Sequence, residues 1–331
     1  MNNFFDRSSE QEFTWQSKHI KFFLDLTGIG PSAVERIIEI NPDIDQWDRE
    51  YVASQSSNYE KTMNLLKDVD EIPHLQDLDR DKVIHFKDPL FPKNLFLMKK
   101  NKPLLLWFAG NLNVERSISV VGSRKIIPET AEIVNRFVKE ASLFNYSIVS
   151  GLANGVDEKA HISALENGLK TVAILPSSLD NILPLSNKGL AGEIVANEGL
   201  LLTEYAPNSP KRPDNSNYIA RNRIQAGLSD AVFIGQSSIP GGTMATAKFA
   251  IDYEKPLIVY KSLNNIDFEE YKGNKYLLEK IDERFDFSIL KFNNSQKLEL
   301  LKKDSLADYS VDQNLKDIND IFSLINNSND K

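Results

Sequence analysis

The stretch Ile118-Ser119-Val120-Val121 opens a series of short apolar runs that recur about every 25 to 30 residues. The later runs are Ser147-Ile148-Val149, Thr171-Val172-Ala173-Ile174-Leu175, Leu200-Leu201-Leu202-Thr203, Ala231-Val232-Phe233-Ile234 and Pro256-Leu257-Ile258-Val259-Tyr260. Segments with helical spacing lie between most of them, for example Ile133, Val134 and Phe137. Strands that alternate with helices predict parallel βαβ units, and continuously apolar strands predict a sheet covered on both faces. The sequence therefore predicts an α/β, Rossmann-like, mostly parallel sheet with helices on both faces.

Three regions are expected along the chain. Residues 1–75 are predicted to be a small helical module, residues 76–261 the Rossmann-like domain with an N-terminal extension, and residues 262–331 a short, partly helical C-terminal region. In the first region, Thr27-Gly28-Ile29-Gly30-Pro31 resembles the turn of a helix-hairpin-helix, although a plain interhelical turn is favoured because the surroundings are acidic. In the last region, Leu315, Ile318, Phe322 and Ile325 share one helical face.

Composition narrows the class of protein. The chain has 331 residues, of which 41% are hydrophobic and 26% charged, as in a soluble globular protein. It has no cysteine, which excludes disulfides and thiolate metal sites, and its 4 histidines form no metal motif. No apolar run has the length of about 20 residues that a membrane span needs. The first residues lack the pattern of a signal peptide. We expect a cytoplasmic protein with no membrane partner, no metal and no cofactor.

The net charge of -8 disfavours a general attraction to nucleic acid. Residues 117–261 carry 14 Lys/Arg and 14 Asp/Glu, so this region is neutral and the negative charge lies in the flanks. A phosphate-binding face in this region would therefore be a local basic patch.

The residues that follow each predicted strand are those that bind anions. In an open parallel sheet, ligands lie beyond the carboxyl ends of the strands, where helix N-termini offer free N–H groups. Gly122-Ser123-Arg124 follows the first strand, and Ser150-Gly151 begins a glycine-containing loop after the second. Asp157 is a candidate helix cap at the end of that loop. His161, one turn later, is favoured as a structural residue over a catalytic one.

Two further strand ends carry similar groups. The loop 207–217 leads into Arg221-Asn222-Arg223, in which the two arginines diverge by about 200° on a helix. One of them is expected to bind phosphate and the other an internal carboxylate. Gly241-Gly242-Thr243 then opens a helix after the fifth strand, where it would seat an anion.

These motifs resemble those of the DNA-processing DprA family, also called Smf, which has the Rossmann-like fold of the SLOG superfamily. The resemblance rests on three runs in this order, which are Val121-Gly122-Ser123-Arg124, Val149 to Asp157 with Ala160-His161, and Arg221 to Ala231. It spans about residues 83–261, and the helical N-terminal module also fits the family.

The resemblance implies a non-enzymatic protein that binds single-stranded DNA, loads RecA onto it and acts as a homodimer in natural transformation and recombination. The residues it implies for phosphate contact are Ser123, Arg124, Gly151, Arg221 and Lys188. Together with the strand-end analysis, the candidate DNA-binding or phosphate-binding set is Gly122, Ser123, Arg124, Ser150, Gly151, Lys188, Arg221, Asn222, Gly241, Gly242 and Thr243. No residue is assigned a catalytic role.

The chain departs from the family pattern in two loops and in its tail. Pro128-Glu129-Thr130 replaces a Tyr-Gly, Pro240 to Thr243 replaces a Ser-Gly-Ser, and no winged-helix domain is evident after residue 261. The Pro-Gly-Gly resembles the LOG-type phosphoribohydrolases of the same superfamily, so a nucleotide sensor or such an enzyme is the alternative function. Those enzymes place a catalytic Glu after this loop, whereas Met-Ala-Thr-Ala-Lys follows Thr243 here.

Overall fold

The computed structural model describes residues 17–26, 28–40, 48–67, 82–209, 212–315 and 317–329. The chain divides into two compact units, of which the first comprises residues 1–91 and 103–105 and the second residues 92–102 and 106–331. None of the helices in these described ranges is long and apolar enough to cross a membrane. The domain boundaries drawn from the sequence at residues 75 and 261 stay a prediction.

The first unit is mainly helical. Its elements are α1 (Ser17–Asp25), α2 (Pro31–Ile40), α3 (Arg49–Ser54), α4 (Tyr59–Leu66) and β1 (Val83–His85). The turn between α1 and α2 has Gly28 at φ +87°, and the carbonyl of Gly28 accepts a hydrogen bond from the Ser57 amide at 3.1 Å. This contact is typical of a turn packed inside a helical module. Thr27 lies outside the described residues, and a helix-hairpin-helix role stays a prediction.

The second unit contains the sheet. Its strands are β2 (Leu105–Gly110), β3 (Ser117–Val121), β4 (Ser147–Ser150), β5 (Thr171–Ile174), β6 (Leu200–Thr203), β7 (Ala231–Ile234), β8 (Leu257–Tyr260) and β9 (Tyr309–Val311). They lie in the order β2-β6-β5-β4-β3-β7-β8-β9. Only β2 runs antiparallel to its neighbour β6, and the other described pairs of this unit are parallel. The predicted fold class is confirmed, and every predicted strand of the region is present.

The helices of this unit connect the strands. They are α5 (Pro128–Ser142), α6 (Val156–Glu166), α7 (Lys188–Ala196), α8 (Asn215–Leu228), α9 (Gly242–Asp252), α10 (Lys272–Leu278), α11 (Asn294–Leu300) and α12 (Ile318–Asn329). Short 3-10 helices occupy Lys93–Asn101, Leu185–Asn187 and Glu269–Tyr271.

The two faces of the sheet are covered by different helices. Successive strand residues point to opposite faces, so Ile118 and Val120 of β3 face one side and Ser117 and Ser119 the other. Ile118 and Val120 share a buried cluster with residues of α5, α6 and α12. Ser117 donates its hydroxyl to the Leu228 carbonyl of α8 at 3.2 Å. Each face is therefore sealed by helices, which leaves the strand ends as the places where polar groups can meet a ligand.

The C-terminal region takes part in the same core. Strand β9 pairs with β8, an element that the sequence analysis did not anticipate. Ile318, Phe322 and Ile325 of α12 are buried against α5, as their common face predicted. Leu315 is also buried, but it has φ +52° and precedes the helix. This terminal helix is thus a packed part of the second unit.

Candidate functional site

The strand order reverses between β3 and β7, and this is where parallel α/β sheets form a ligand crevice at their carboxyl ends. The loops that leave these two strands are tied together. The Ser123 amide donates to the Gln236 carbonyl at 2.8 Å. The Gln236 side chain accepts hydrogen bonds from the Ile127 amide and the Thr130 hydroxyl, and it donates to the Lys125 carbonyl at 2.8 Å. Gln236 therefore fixes the backbone on both sides of Arg124.

Arg124 is exposed at this crevice. Its guanidinium lies 4.9 Å from the centre of the Tyr218 ring at the start of α8. A guanidinium over an aromatic face is attracted by the ring quadrupole. In the described part of the chain Arg124 has no carboxylate partner. The positive charge is thus held in place by an aromatic ring and remains available to an anion.

Close backbone approach joins the loops after β3 and β4. A Cβ atom at Gly122 would lie 2.4 Å from Val156 Cγ2, and a Cβ at Gly155 would lie 2.3 Å from the Ser123 carbonyl. Gly155 also has φ +86°, a conformation that favours glycine. The Val156 amide donates to the Ser123 carbonyl at 3.1 Å, so the two loops form one surface.

Arg221 covers Gly151 from α8. A Cβ atom at Gly151 would lie only 1.1 Å from Arg221 Nη1, so the guanidinium occupies the space of a side chain at that position. Arg221 is 5% exposed, and its Nη1 lies 3.6 Å from a carboxylate oxygen of Asp157, which is also buried. Nε and Nη1 of Arg221 are buried without a hydrogen-bond partner. This arginine therefore lies beneath the surface on which Arg124 is exposed.

Burial has the largest effect on the pKa values of Asp157 and Arg221. It raises the pKa of Asp157, while the positive charge of Arg221 and backbone hydrogen bonds from Ala153 and Gly151 act to lower it. Burial likewise lowers the pKa of Arg221, an effect that Asp157 opposes and that the nearby charge of Arg124 reinforces.

His161 lies in the same buried layer. Burial, followed by the charge of Arg221, lowers its pKa to about 3, so the ring is neutral at physiological pH. The Thr171 hydroxyl donates to the Ile148 carbonyl, and His161 Nδ1 lies 2.7 Å from that hydroxyl oxygen. Since the hydroxyl proton is already used, Nδ1 carries the ring proton and Nε2 does not. A structural role, the interpretation favoured from the sequence, fits this geometry.

The remaining candidate residues form two groups, those that are hydrogen-bonded within the fold and those that are exposed. Ser150 is buried, and its hydroxyl donates to the Val120 carbonyl at 2.7 Å within the sheet. Asn222 Nδ2 donates to the Gly242 carbonyl at 3.2 Å and so ties α8 to the start of α9. Gly241 and Gly242 are exposed there, and Thr243 is mostly buried. The glycine pair therefore presents a free helix N-terminus.

Lys188 stands at the start of α7 and is exposed. The preceding residues anchor it to the β4 loop, because Asn187 Nδ2 donates to the Leu152 carbonyl at 3.0 Å and the Ser186 hydroxyl donates to Asn154 Oδ1 at 3.0 Å. Within the described residues Lys188 forms no ion pair. It is therefore a second free cation beside the loop that carries Gly151.

Two expectations about individual roles can be compared with the structure. The expectation of an internal carboxylate for one of the two arginines is confirmed for Arg223, which makes a two-bond pair with Glu204 at 2.6 and 2.7 Å. Arg221 also lies beside an internal carboxylate, that of Asp157, and its contact with phosphate stays a prediction. The expectation that Asp157 caps α6 is wrong. Gly155 is the N-cap, and the Glu158 carboxylate accepts from its amide at 3.4 Å. The Asp157 carboxylate is instead buried beside Arg221.

Sequence reasoning missed two residues that organise the crevice, Tyr218 and Gln236. Tyr218 lies in the motif-bearing segment before Arg221, but nothing in its spacing indicated that it would lie under Arg124. Gln236 follows β7 directly, at a strand end where polar residues are expected, and that position was the signal that could have found it. No cluster of metal-ligating side chains occurs among residues for which the structure gives positions.

Comparison with known proteins places this geometry in a family. The profile of the family described as DNA recombination-mediator protein A matches residues 82–285, more than half of the chain. The chain belongs to this DNA recombination-mediator protein A family. The matched segment contains every candidate residue of the crevice.

Similar proteins carry the names of the same family. The DNA processing protein DprA of Streptococcus pneumoniae is 37% identical over 154 residues, which cover 45% of this chain and 52% of that protein. Protein Smf of Synechocystis is 34% identical over 192 residues, 56% of this chain and 47% of that protein. The chain thus spans about half the length of the curated relatives it matches.

A solved structure extends the similarity beyond the sequence matches. The X-ray structure of DprA from Streptococcus pneumoniae superposes with a TM-score of 0.70 and 28% identity, covering 80% of this chain and 92% of that one. The DNA recombination-mediator protein A fold is therefore shared over most of both chains.

Proposed function

We propose that this protein binds single-stranded DNA. In this proposal the phosphates of the DNA lie along the carboxyl edge of the β-sheet. The observation that carries the proposal is Arg124, an exposed guanidinium held over Tyr218 at the reversal of strand order and unpaired in the described chain. Lys188 supplies a second free charge. Two cations that contact only the phosphates of the DNA suit binding without sequence preference.

The other candidate residues have two kinds of role in this proposal. The glycines at 122, 241 and 242 bring backbone N–H groups close to the phosphates, with Thr243 beside them. Ser123 and Gly151 shape the neighbouring loops, since their own N–H groups are bonded to Gln236 and Asp157. Arg221, Asn222 and Ser150 lie beneath, where Arg221 adds positive charge and supports Gly151 while the other two fix the strand ends. A direct phosphate contact from Arg221 remains a prediction.

The proposal also covers the assembly of the protein and its biological role. Loading of RecA onto the bound strand, action as a homodimer and a place in natural transformation and recombination all follow from the family resemblance. The description of the family as a DNA recombination mediator supports the part of this proposal that concerns recombination. A cytoplasmic location and the absence of a catalytic step belong to the same proposal.

Fluorescence anisotropy tests the binding proposal. A labelled oligothymidylate should bind more tightly than blunt duplex of the same length, and Arg124→Ala should weaken binding about tenfold while the melting temperature is kept. The salt slope should flatten by about 0.7, the counterion release of one single-strand phosphate. Equal affinity for duplex and single strand, or a folded Arg124→Ala protein with wild-type affinity, would contradict the proposal.

The absence of catalysis is tested separately. No acid follows the Gly241-Gly242-Thr243 loop at which the LOG-type enzymes place one, so purified protein should release no free base from AMP. Base release that is lost in Arg124→Ala would instead favour the enzyme or nucleotide-sensor alternative.

A further inference from the structure

A cavity of about 480 Å³ opens beside Arg124, between the loops after β3 and β4 and the outer face of α6. It is lined by Arg124, Ile126, Asn154, Gly155, Glu158, Lys159, Ile162 and Ser186. Most of these residues are outside the candidate phosphate-binding set, which ends at Arg124 on this side of the crevice. The volume lies within the range of about 300 to 1,000 Å³ that is typical of small-molecule sites.

The walls of the cavity differ in chemistry. Ile126 and Ile162 are half-buried and form an apolar wall. Lys159, one residue from the acidic Glu158, forms no ion pair within the described residues. Glu158 accepts a hydrogen bond from the Gly155 amide at the start of α6, so its carboxylate is engaged by the helix. The cavity therefore has two cations, Arg124 and Lys159, and one carboxylate, Glu158, at the border of an apolar wall.

One polar group points to a particular kind of ligand. Asn154 Oδ1 accepts the Ser186 hydroxyl at 3.0 Å, and in the described chain Asn154 Nδ2 makes no hydrogen bond to protein. A free amide donor beside an apolar wall can meet a carbonyl of a nucleobase. An apolar wall, an amide donor and flanking cations together match the three parts of a nucleotide unit.

We propose that this cavity receives one nucleotide of the bound strand, which extends the binding site from the crevice onto α6. The base packs on Ile126 and Ile162, Asn154 Nδ2 donates to a base carbonyl, and the phosphate lies between Arg124 and Lys159. This inference rests on the proposed single-strand binding. It adds a base contact that tolerates several bases to a site otherwise built from phosphate contacts.

The charge contact is tested with Lys159→Gln against Lys139→Gln, a matched change in the last turn of α5. With oligothymidylate in an anisotropy titration, Lys159→Gln should lower affinity about fourfold at 0.15 M salt and flatten the salt slope by about 0.7. Lys139→Gln should change neither. Equal behaviour of the two variants would remove Lys159 from the site and overturn the proposed path of the strand.

The base contact is tested with an abasic strand of the same length as the oligothymidylate. Wild-type protein should bind the abasic strand about fivefold more weakly, and Ile162→Ser should reduce this difference while Ile162→Phe keeps it, because an aromatic ring also accepts a base. Thermal melts of both variants control for folding. Equal wild-type affinity for the two strands would overturn the pocket and leave the proposed function standing. If wild-type protein binds neither strand, both proposals fail.

Discussion

Asp230 at the amino edge of the sheet is buried and hydrogen-bonded, whereas Arg124 and Lys188 at the carboxyl edge are exposed and unpaired in the described structure. Asp230, where β7 begins, accepts hydrogen bonds from the Ser117 amide at 3.0 Å and from Asn94 Nδ2 at 2.9 Å. Arg124 and Lys188, at the other edge, have only a ring or solvent as neighbours for their charges. The difference shows that polar groups at the amino edge are used within the fold, whereas charges at the carboxyl edge are left for the proposed ligand.

The largest effect on stability should come from removing Asp230 at the amino edge of the sheet. In Asp230→Ala the Ser117 amide and Asn94 lose their acceptor, and the buried Lys255 loses the charge that opposes the lowering of its pKa by burial. The free energy of unfolding, measured in urea, should fall by about 3 kcal/mol. Asp320→Ala, an exposed change on α12, should cost at most about 0.5 kcal/mol. Similar losses in the two variants would show that the amino edge is not specially stabilised.

Arg221→Met should have the next largest effect, because it leaves Asp157 buried without its counter-charge. We expect a loss of about 3 kcal/mol at pH 7. Arg221 acts to lower the pKa of Asp157, so its removal raises the folded-state value further above that of the unfolded chain. Folding then favours the protonated acid, and the loss of stability should shrink as pH falls below 7.

The double variant Arg221→Met with Asp157→Asn provides the control. It removes both charges and should recover most of the lost stability, with little dependence on pH. Urea titrations at three pH values distinguish the cases. A deficit of the single variant that does not change with pH would show that Asp157 and Arg221 are not coupled.

A smaller effect is expected from Lys188→Gln at the carboxyl edge. Loss of one phosphate contact should weaken binding of oligothymidylate about fourfold at 0.15 M salt and flatten the salt slope by about 0.7. Stability should be unchanged because the side chain is exposed and unpaired in the described structure. An unchanged salt slope would place Lys188 outside the path of the strand.

The smallest effect concerns the ring beneath Arg124. Tyr218→Leu removes the aromatic face 4.9 Å from the guanidinium and should weaken DNA binding about twofold, since an exposed cation–π contact contributes about 0.5 kcal/mol. Tyr218→Phe keeps the face and should bind as wild type. If the two variants bind equally, Tyr218 does not position Arg124.

The sheet could be predicted from the sequence because its strands are continuous apolar runs at regular spacing. Strand β9 could not, since Tyr309-Ser310-Val311 is short and partly polar and gains its strand conformation only by pairing with β8. The limit is the same for β9 as for other short edge segments, where tertiary pairing decides the conformation.

The sequence predicted which edge of the sheet carries the candidate residues, but not which of their side chains are buried. Strand ends located Arg124 and Arg221 at one edge, and helical spacing separated Arg221 from Arg223. Arg221 is buried, unlike Arg124, because α8 packs closely against Gly151. This is a tertiary contact between residues about 70 positions apart in the chain. Spacing within one helix carries no information on that approach.

The packing of Arg221 on Gly151 also sets an order of events as the chain is made. The β4 loop and Asp157 leave the ribosome well before α8, so for that interval the acid has no counter-charge and the loop has no cover. Domains fold as units from the N-terminal side during synthesis, and contacts between distant segments form late. The carboxyl edge of the sheet is thus completed only when α8 docks, and a nascent chain that ends before residue 215 would lack it.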